Sequence, residues 1–265
     1  MTEKKLLDSP NSEKNPSRKT PNIQTKLRHQ ILHMPEIIQE ASGIRIYGRT
    51  IKSIIFTTDL AIIKNCDADA VFAVYPFTPQ QSISDAIIKA SSIPVFCGCG
   101  GGTTRGLRTI SLAKDVECQG AFGVVLNSPI TNANLKAVSS SIDIPTIITV
   151  VSPKTNIEAR INAGAAILNV AGGKNTRNIV SRIRETHPDI PIIATGGNTK
   201  SDILSTIDAG ANAVTITPPS TADLFTEMMN NYRENADQYL HNDDKGFAQL
   251  VYEYVSKAHS DRHHS

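Results

Sequence analysis

The sequence predicts a single α/β domain folded as a (β/α)8 barrel, on three observations. The first is a count: eight apolar, strand-like runs follow one another from Ser53, namely SIIFT, AVFAVY, PVFCG, GVVLN, TIITVV, AILNV, PIIAT and AVTIT. The second is their spacing, since helix-like segments separate them. Continuous apolar strands alternating with helices form a parallel sheet covered on both faces, and eight such units close into a barrel. The third is an internal repeat. Runs three, five and seven each open on Ile-Pro, and INAGAAILNV aligns with IDAGANAVTI ahead of runs six and eight. A (βα)2 unit therefore recurs about four times.

Each repeated device has a physical reason. Gly164 and Gly210 are placed to end a helix in the left-handed conformation before a small residue enters the next strand. A proline at the first position of a strand forfeits no ladder hydrogen bond.

The flanking segments read differently. Residues 1–22 are rich in Lys, Ser, Pro and Asn and are expected to be a disordered tail. Residues 23–52 are expected to form an N-terminal helix and hairpin closing the bottom of the barrel. Apolar residues recur at Leu27, Ile31, Met34, Ile37 and Ile38 with Pro35 interrupting, and IRIYGRTIK alternates about Tyr47-Gly48. The barrel itself is assigned to residues 53–235. Residues 236–265 form an extension whose amphipathic stretch GFAQLVYEYVSKAHS predicts a helix against the barrel or a partner subunit, so a homo-oligomer is left open.

Composition excludes several classes. The chain has 265 residues, 40% hydrophobic and 20% charged, with net charge +2 and no basic cluster, so no nucleic-acid partner is expected. No apolar run approaches the roughly 20 residues of a membrane span, and the N-terminus carries no apolar secretory core, which points to the cytoplasm. The four cysteines are expected to be reduced, and Cys97-Gly98-Cys99 lacks a second pair to complete a zinc site.

In such barrels ligands sit on the loops after the strands' carboxyl ends. There the sequence places Thr57 and Asp59, Tyr75, Cys99, Asn127, Asn169 and Lys174. Asp59 is the lone carboxylate at the mouth and the candidate general base, its alternative being the N-cap of the first barrel helix. After the third run, GCGGGTTRG offers Gly101, Gly102 and Arg105 as an anion-binding nest or a lid. After the seventh, Gly196, Gly197 and Asn198 let the backbone approach an anion at a helix start. Thr217, Ser220 and Thr221 complete that candidate phosphate site after the eighth. No histidine falls at a strand end, and no Asp/Glu/His cluster suggests a metal.

The run IPIIATGGNTKSDILSTIDAGANAVTI resembles the ribulose-phosphate-binding barrels, an aldolase-type superfamily of sugar-phosphate enzymes. That resemblance implies a phosphate held after strands seven and eight. The chain departs from the pattern at Pro218-Pro219, where two residues without N–H replace a Gly-Ser-like turn. The segment from Thr217 to Arg233 is similar to uncharacterised bacterial barrels labelled generically as hydrolases, although the mouth carries no water-activating group. The leading expectation is an enzyme acting on a phosphorylated small metabolite, of isomerase, epimerase or lyase type, with Asp59 as base. The alternatives are an FMN-dependent oxidoreductase holding the FMN phosphate at the same two strands, a non-catalytic metabolite sensor, and the hydrolase of the generic label.

Overall fold

All eight apolar runs form strands. Behind a hairpin of β1 (Ile44–Ile46) and β2 (Arg49–Ile51) come β3 (Ser53–Phe56), β4 (Ala70–Ala73), β5 (Val95–Gly98) and β6 (Gly123–Leu126). Then follow β7 (Thr146–Val150), β8 (Ile167–Val170), β9 (Ile192–Thr195) and β10 (Ala213–Ile216). The strands β3 to β10 pair in parallel and close in the order β10-β3-β4-β5-β6-β7-β8-β9. Helices α1 (Leu60–Lys64), α2 (Gln81–Ala90), α3 (Leu107–Cys118) and α4 (Asn132–Ser139) alternate with them. They continue as α5 (Ile157–Asn162), α6 (Thr176–Thr186), α7 (Lys200–Asp208) and α8 (Thr221–Glu234). The fold is a (β/α)8 barrel. The computed structural model describes residues 31–197 and 199–234, with Pro21 and Ile23.

The repeat acts as its chemistry requires. Gly164 and Gly210 have φ of +97° and +109° at the ends of α5 and α7. Pro94, Pro145 and Pro191 stand just before β5, β7 and β9, where each uses its carbonyl to accept from the neighbouring strand: from Val71, Val124 and Leu168. None of the three positions needs an N–H.

Two apolar shells divide each strand's side chains by alternation. Ile54, Phe72, Phe96, Val125, Ile147, Ile167 and Ile193 point inward and fill the barrel. Ile55, Val71, Cys97, Leu126, Ile148 and Leu168 point outward under the helices. Ile44, Ile46 and Ile51 of the hairpin join the inner shell. Phe72 and Phe96 meet edge to face with centroids 5.5 Å apart, and Tyr47 of the hairpin turn packs edge-on against Phe122, just before β6. The hairpin thus lies at the amino ends of the strands, opposite the mouth.

The chain divides into two units, Met1–Ile31 and Leu32–Ser265, and in the first only Pro21, Ile23 and Ile31 are described, all exposed. The helix expected from Ile23 to Ala41 is not what the described part of that stretch forms. Leu32 makes an isolated parallel bridge to Cys66, and only Glu36–Glu40 coils, as a single 3-10 turn after Pro35. An extended residue bonded to a neighbouring loop, followed by a proline that donates no N–H, leaves no room for a continuous helix. The turn carries Ile38, fully buried with Ile203 and Val214 on the outside of β10. The tail and the extension from residue 236 lie outside the described residues. Among those described, no helix is long and apolar enough to cross a membrane.

Candidate functional site

At the carboxyl ends of β4, β5 and β6 lies a cleft of about 370 Å³, walled by Tyr75–Pro79 on one side and by Gly100, Gly102, Thr103 and Thr104 on the other. Val74, Gly98 and Asn127, inward positions by strand alternation, form its floor, so the cleft opens onto the barrel axis. The Tyr75 hydroxyl accepts the Gln80 N–H at 2.7 Å and fixes the first wall.

The second wall is a folded turn rather than a loose lid. Gly101 donates to the Thr104 carbonyl at 3.0 Å, Asn127 donates to the Gly100 carbonyl at 2.8 Å, and Thr109 Oγ1 donates to the Thr104 carbonyl. Gly101 sits at φ +107°, where a Cβ would come within 3.0 Å of the Asn127 backbone nitrogen and oxygen, so only glycine fits. Arg105 folds back, its Nε donating to the Gly102 carbonyl at 2.6 Å. What the turn leaves over is a row of donors. The amides of Gly102, Thr103 and Thr104 have no acceptor in the chain among the described residues. No acidic residue lies in the first turn of α3, which follows without a side-chain cap.

The loops after β9 and β10 have the opposite character. Gly196 spends its N–H on the Thr215 carbonyl. Gly197, at φ +80°, has the Asp202 side chain beside it: a Cβ there would be 2.6 Å from Asp202 Cβ. Helix α7 opens on a capping box, in which Thr199 Oγ1 accepts the Asp202 N–H and the Asp202 carboxylate accepts the N–H and hydroxyl of Thr199. Helix α8 repeats the device with Ser220 and Asp223. The Thr221 hydroxyl donates to Asp59 Oδ2. The start of α8 is thus capped by Ser220 and Asp223 and flanked by the Asp59 carboxylate. Asn198 lies outside the described residues. Thr217 is exposed on the rim.

Asp59 occupies the N-cap of α1, where Oδ1 accepts from Ala61 at 2.8 Å and from Ile62 at 3.4 Å. Thr57 Oγ1 accepts the Asp59 N–H at 3.1 Å and braces it. The hydroxyl of Thr221 is the main cause that holds the Asp59 carboxyl below its usual range, against the opposing effect of burial, and the amides of Ala61 and Ile62 add to it. The Ser220 hydroxyl does the same for Asp223. A carboxylate with both oxygens committed and its pKa lowered is a weak proton acceptor.

Cys99 does not reach the mouth. It is fully buried among the outward-facing residues beneath the helices, beside Cys97, because the odd positions of that stretch point away from the axis. Burial pushes the Cys97 thiol up to about 12 and raises Cys99 well above its usual value. All four cysteines are free. Lys174 is exposed on a 3-10 turn after β8. Among the described residues no group of three or more His, Cys, Asp or Glu is placed to hold a metal ion.

Asn169 points inward and donates to Thr149 Oγ1 at 3.4 Å. It belongs to a polar set: Thr149, Asn169, Thr195 and Thr215 hold inward positions on β7 to β10, as their pairing shows. Thr149 was hidden inside an apolar run, and only the period-two phase of each strand reveals the set.

Comparison with known proteins adds the fold alone. No family model matches the chain, and no curated protein sequence matches it. Among solved structures, phosphoenolpyruvate phosphomutase from Streptomyces platensis subsp. rosaceus superposes with a TM-score of 0.56 at 9% identity, over 86% of this chain and 95% of that one. A phosphonopyruvate hydrolase in complex with oxalate and Mg++ gives 0.55 at 10% identity, over 80% and 93%. A mandelate oxidase gives 0.55 at 13% identity, over 67% and 68%. At such identities the shared property is the barrel.

Proposed function

We propose that this barrel handles a small phosphorylated metabolite, bound in the cleft at β4 to β6 with its anion on the amides of Gly102, Thr103 and Thr104. One observation carries the reading: Gly102, Thr103 and Thr104, whose N–H groups have no acceptor among the described residues, line the cleft, with Arg105 next in sequence and no carboxylate in the following helical turn. Consecutive amides of this kind suit phosphate oxygens, each charge-assisted bond contributing about 1.5–3 kcal/mol. Phosphorylated or phosphonate compounds also figure in the names of two of the solved structures that share the fold.

The loops after β9 and β10 are the weaker candidate. A dianion there would face the carboxylates of Asp59, Asp202 and Asp223, which already accept the hydroxyls of Thr221, Thr199 and Ser220. The same objection weighs on an FMN phosphate at those strands, although a mandelate oxidase of this fold is solved with an FMN adduct. Isomerase, epimerase or lyase chemistry remains the proposed activity. We assign Asp59 the capping of α1 and the bridge to α8 rather than proton transfer. A second reading, ligand sensing without turnover, is favoured by the lining of the cleft, in which Tyr75 is the one titratable side chain.

The test uses inorganic phosphate as probe, by isothermal titration. A side chain at Gly102 meets nothing nearer than Asn127 Nδ2 at 4.0 Å, so Gly102→Ala and Gly102→Asp should both fold. Gly102→Asp should weaken binding by at least about tenfold, and Gly102→Ala by much less. Equal binding by wild type and Gly102→Asp contradicts the reading.

A further inference from the structure

The polar side of the barrel mouth holds one feature that neither the fold nor the anion site explains. Thr215 is 6% exposed, and its Oγ1 has no hydrogen-bond partner. Strand phase fixes where it points: Ala213 lies in the inner shell and Val214 in the outer, so Thr215 faces the axis. Among the described residues nothing accepts from or donates to its hydroxyl, and its cross-strand neighbours are Ile54, itself in the inner shell, and Thr195. Buried hydroxyls are normally satisfied, because an unpaired one forfeits its hydration for nothing. This one lies on the axial face at the mouth end of the barrel, just beneath the surface, beside Thr195, which is exposed there, and on the same side as Asn169 and Thr149.

The opposite wall has no such character. Inward positions of β3 to β5 carry Phe56, Phe72, Val74, Phe96 and Gly98, all without a polar side chain. The two halves of the mouth therefore present an apolar face and a hydroxyl-and-amide face to whatever lies between them. No inward position near the mouth on any of the eight strands is ionisable. A carboxylate or an ammonium group brought to the centre would lose its hydration without gaining a counter-ion. A hydroxyl or carbonyl oxygen would instead complete Thr215.

Resting on the anion site proposed above, we infer that Thr215, with Thr195, Asn169 and Thr149, forms a second subsite that takes an uncharged oxygen-bearing group of the ligand. The ligand is then a phosphate ester whose other end carries hydroxyl or carbonyl oxygen, and neither a carboxylate nor an amine. Thr215 is a specificity-determining residue of this site.

The experiment compares three phosphate esters by isothermal titration: n-propyl phosphate, glycerol 3-phosphate and 3-phosphoglycerate. Wild type should bind glycerol 3-phosphate at least about fivefold more tightly than n-propyl phosphate, and 3-phosphoglycerate no more tightly than n-propyl phosphate. Thr215→Val keeps the shape and removes the hydroxyl. It should bring the first ratio below about twofold, leave inorganic phosphate binding unchanged and leave the melting temperature equal or higher. Thr215→Ser should retain the preference. Equal binding of propyl and glycerol phosphates by wild type overturns this inference alone, as does a loss in Thr215→Val that is the same for both. Failure of all three esters and of inorganic phosphate to bind overturns the anion site, and this inference with it.

Discussion

Two glycine-rich turns at the mouth look alike in one dimension and behave oppositely in three. Gly100 to Thr104 after β5 and Gly196 to Thr199 after β9 both join a strand to a helix through consecutive glycines, the pattern that lets backbone amides approach an anion. The first leaves the amides of Gly102, Thr103 and Thr104 without an acceptor among the described residues and has no acid at the start of its helix. The second is followed at Asp202 by a carboxylate that lies beside Gly197 and accepts the N–H and hydroxyl of Thr199. Glycines make an anion site available, and whether it stays available depends on the residue three positions past the N-cap. A chain that places Asp there supplies its own anion.

The largest effect that sharpens this contrast comes from one substitution made at both turns. Gly102→Asp should abolish most phosphate binding with little change in stability. Gly197→Asp should do the reverse, because φ of +80° and the contact with Asp202 strain any side chain there, while phosphate affinity stays within about twofold. A marked loss of phosphate affinity in Gly197→Asp at unchanged fold would return the site to β9 and β10. Smaller effects follow from the caps. Thr199→Ala and Ser220→Ala should each cost about 1 kcal/mol in denaturant unfolding and leave phosphate affinity unaltered. Tighter phosphate binding in Ser220→Ala would show that the cap had been competing with a real site.

The eight strands were legible because period, proline and glycine all agree from run to run, and agreement among independent local signals is what specifies a fold. Much of the mouth was legible as well, since the ends of eight strands are easily enumerated. Four features escape that enumeration. Cys99 was placed by its distance along the chain rather than by phase, and the odd positions of that stretch face the helices. Thr149 was concealed among Ile and Val, although Asn169 beside it was noticed. The spacings Thr199 to Asp202 and Ser220 to Asp223 were present in the sequence as capping signals and carry the information that α7 and α8 begin closed. The pairing of Asp59 with Thr221, 162 residues away, had no local signal at all.

The weakest expected effect is electrostatic. Asp59 and Asp223 have carboxyls held below their ordinary range in the folded state. A lowered folded value contributes stability that is present above the unfolded value of 3.8 and is lost as pH falls through the folded one. Thermal unfolding between pH 5 and about pH 2 should therefore show a decline at the acid end that Asp59→Asn makes shallower. A decline of identical slope in that variant would mean that the bond to Thr221 contributes nothing to the acid limb.

The central claim, that the anion belongs to the turn after β5, is tested most directly by following backbone amide shifts while inorganic phosphate is titrated into the isotopically labelled protein. The account predicts saturable shifts at Gly102, Thr103 and Thr104, with Gly197, Thr199 and Thr221 unmoved. Saturable shifts at Gly197, Thr199 and Thr221 with Gly102 to Thr104 unmoved would contradict it.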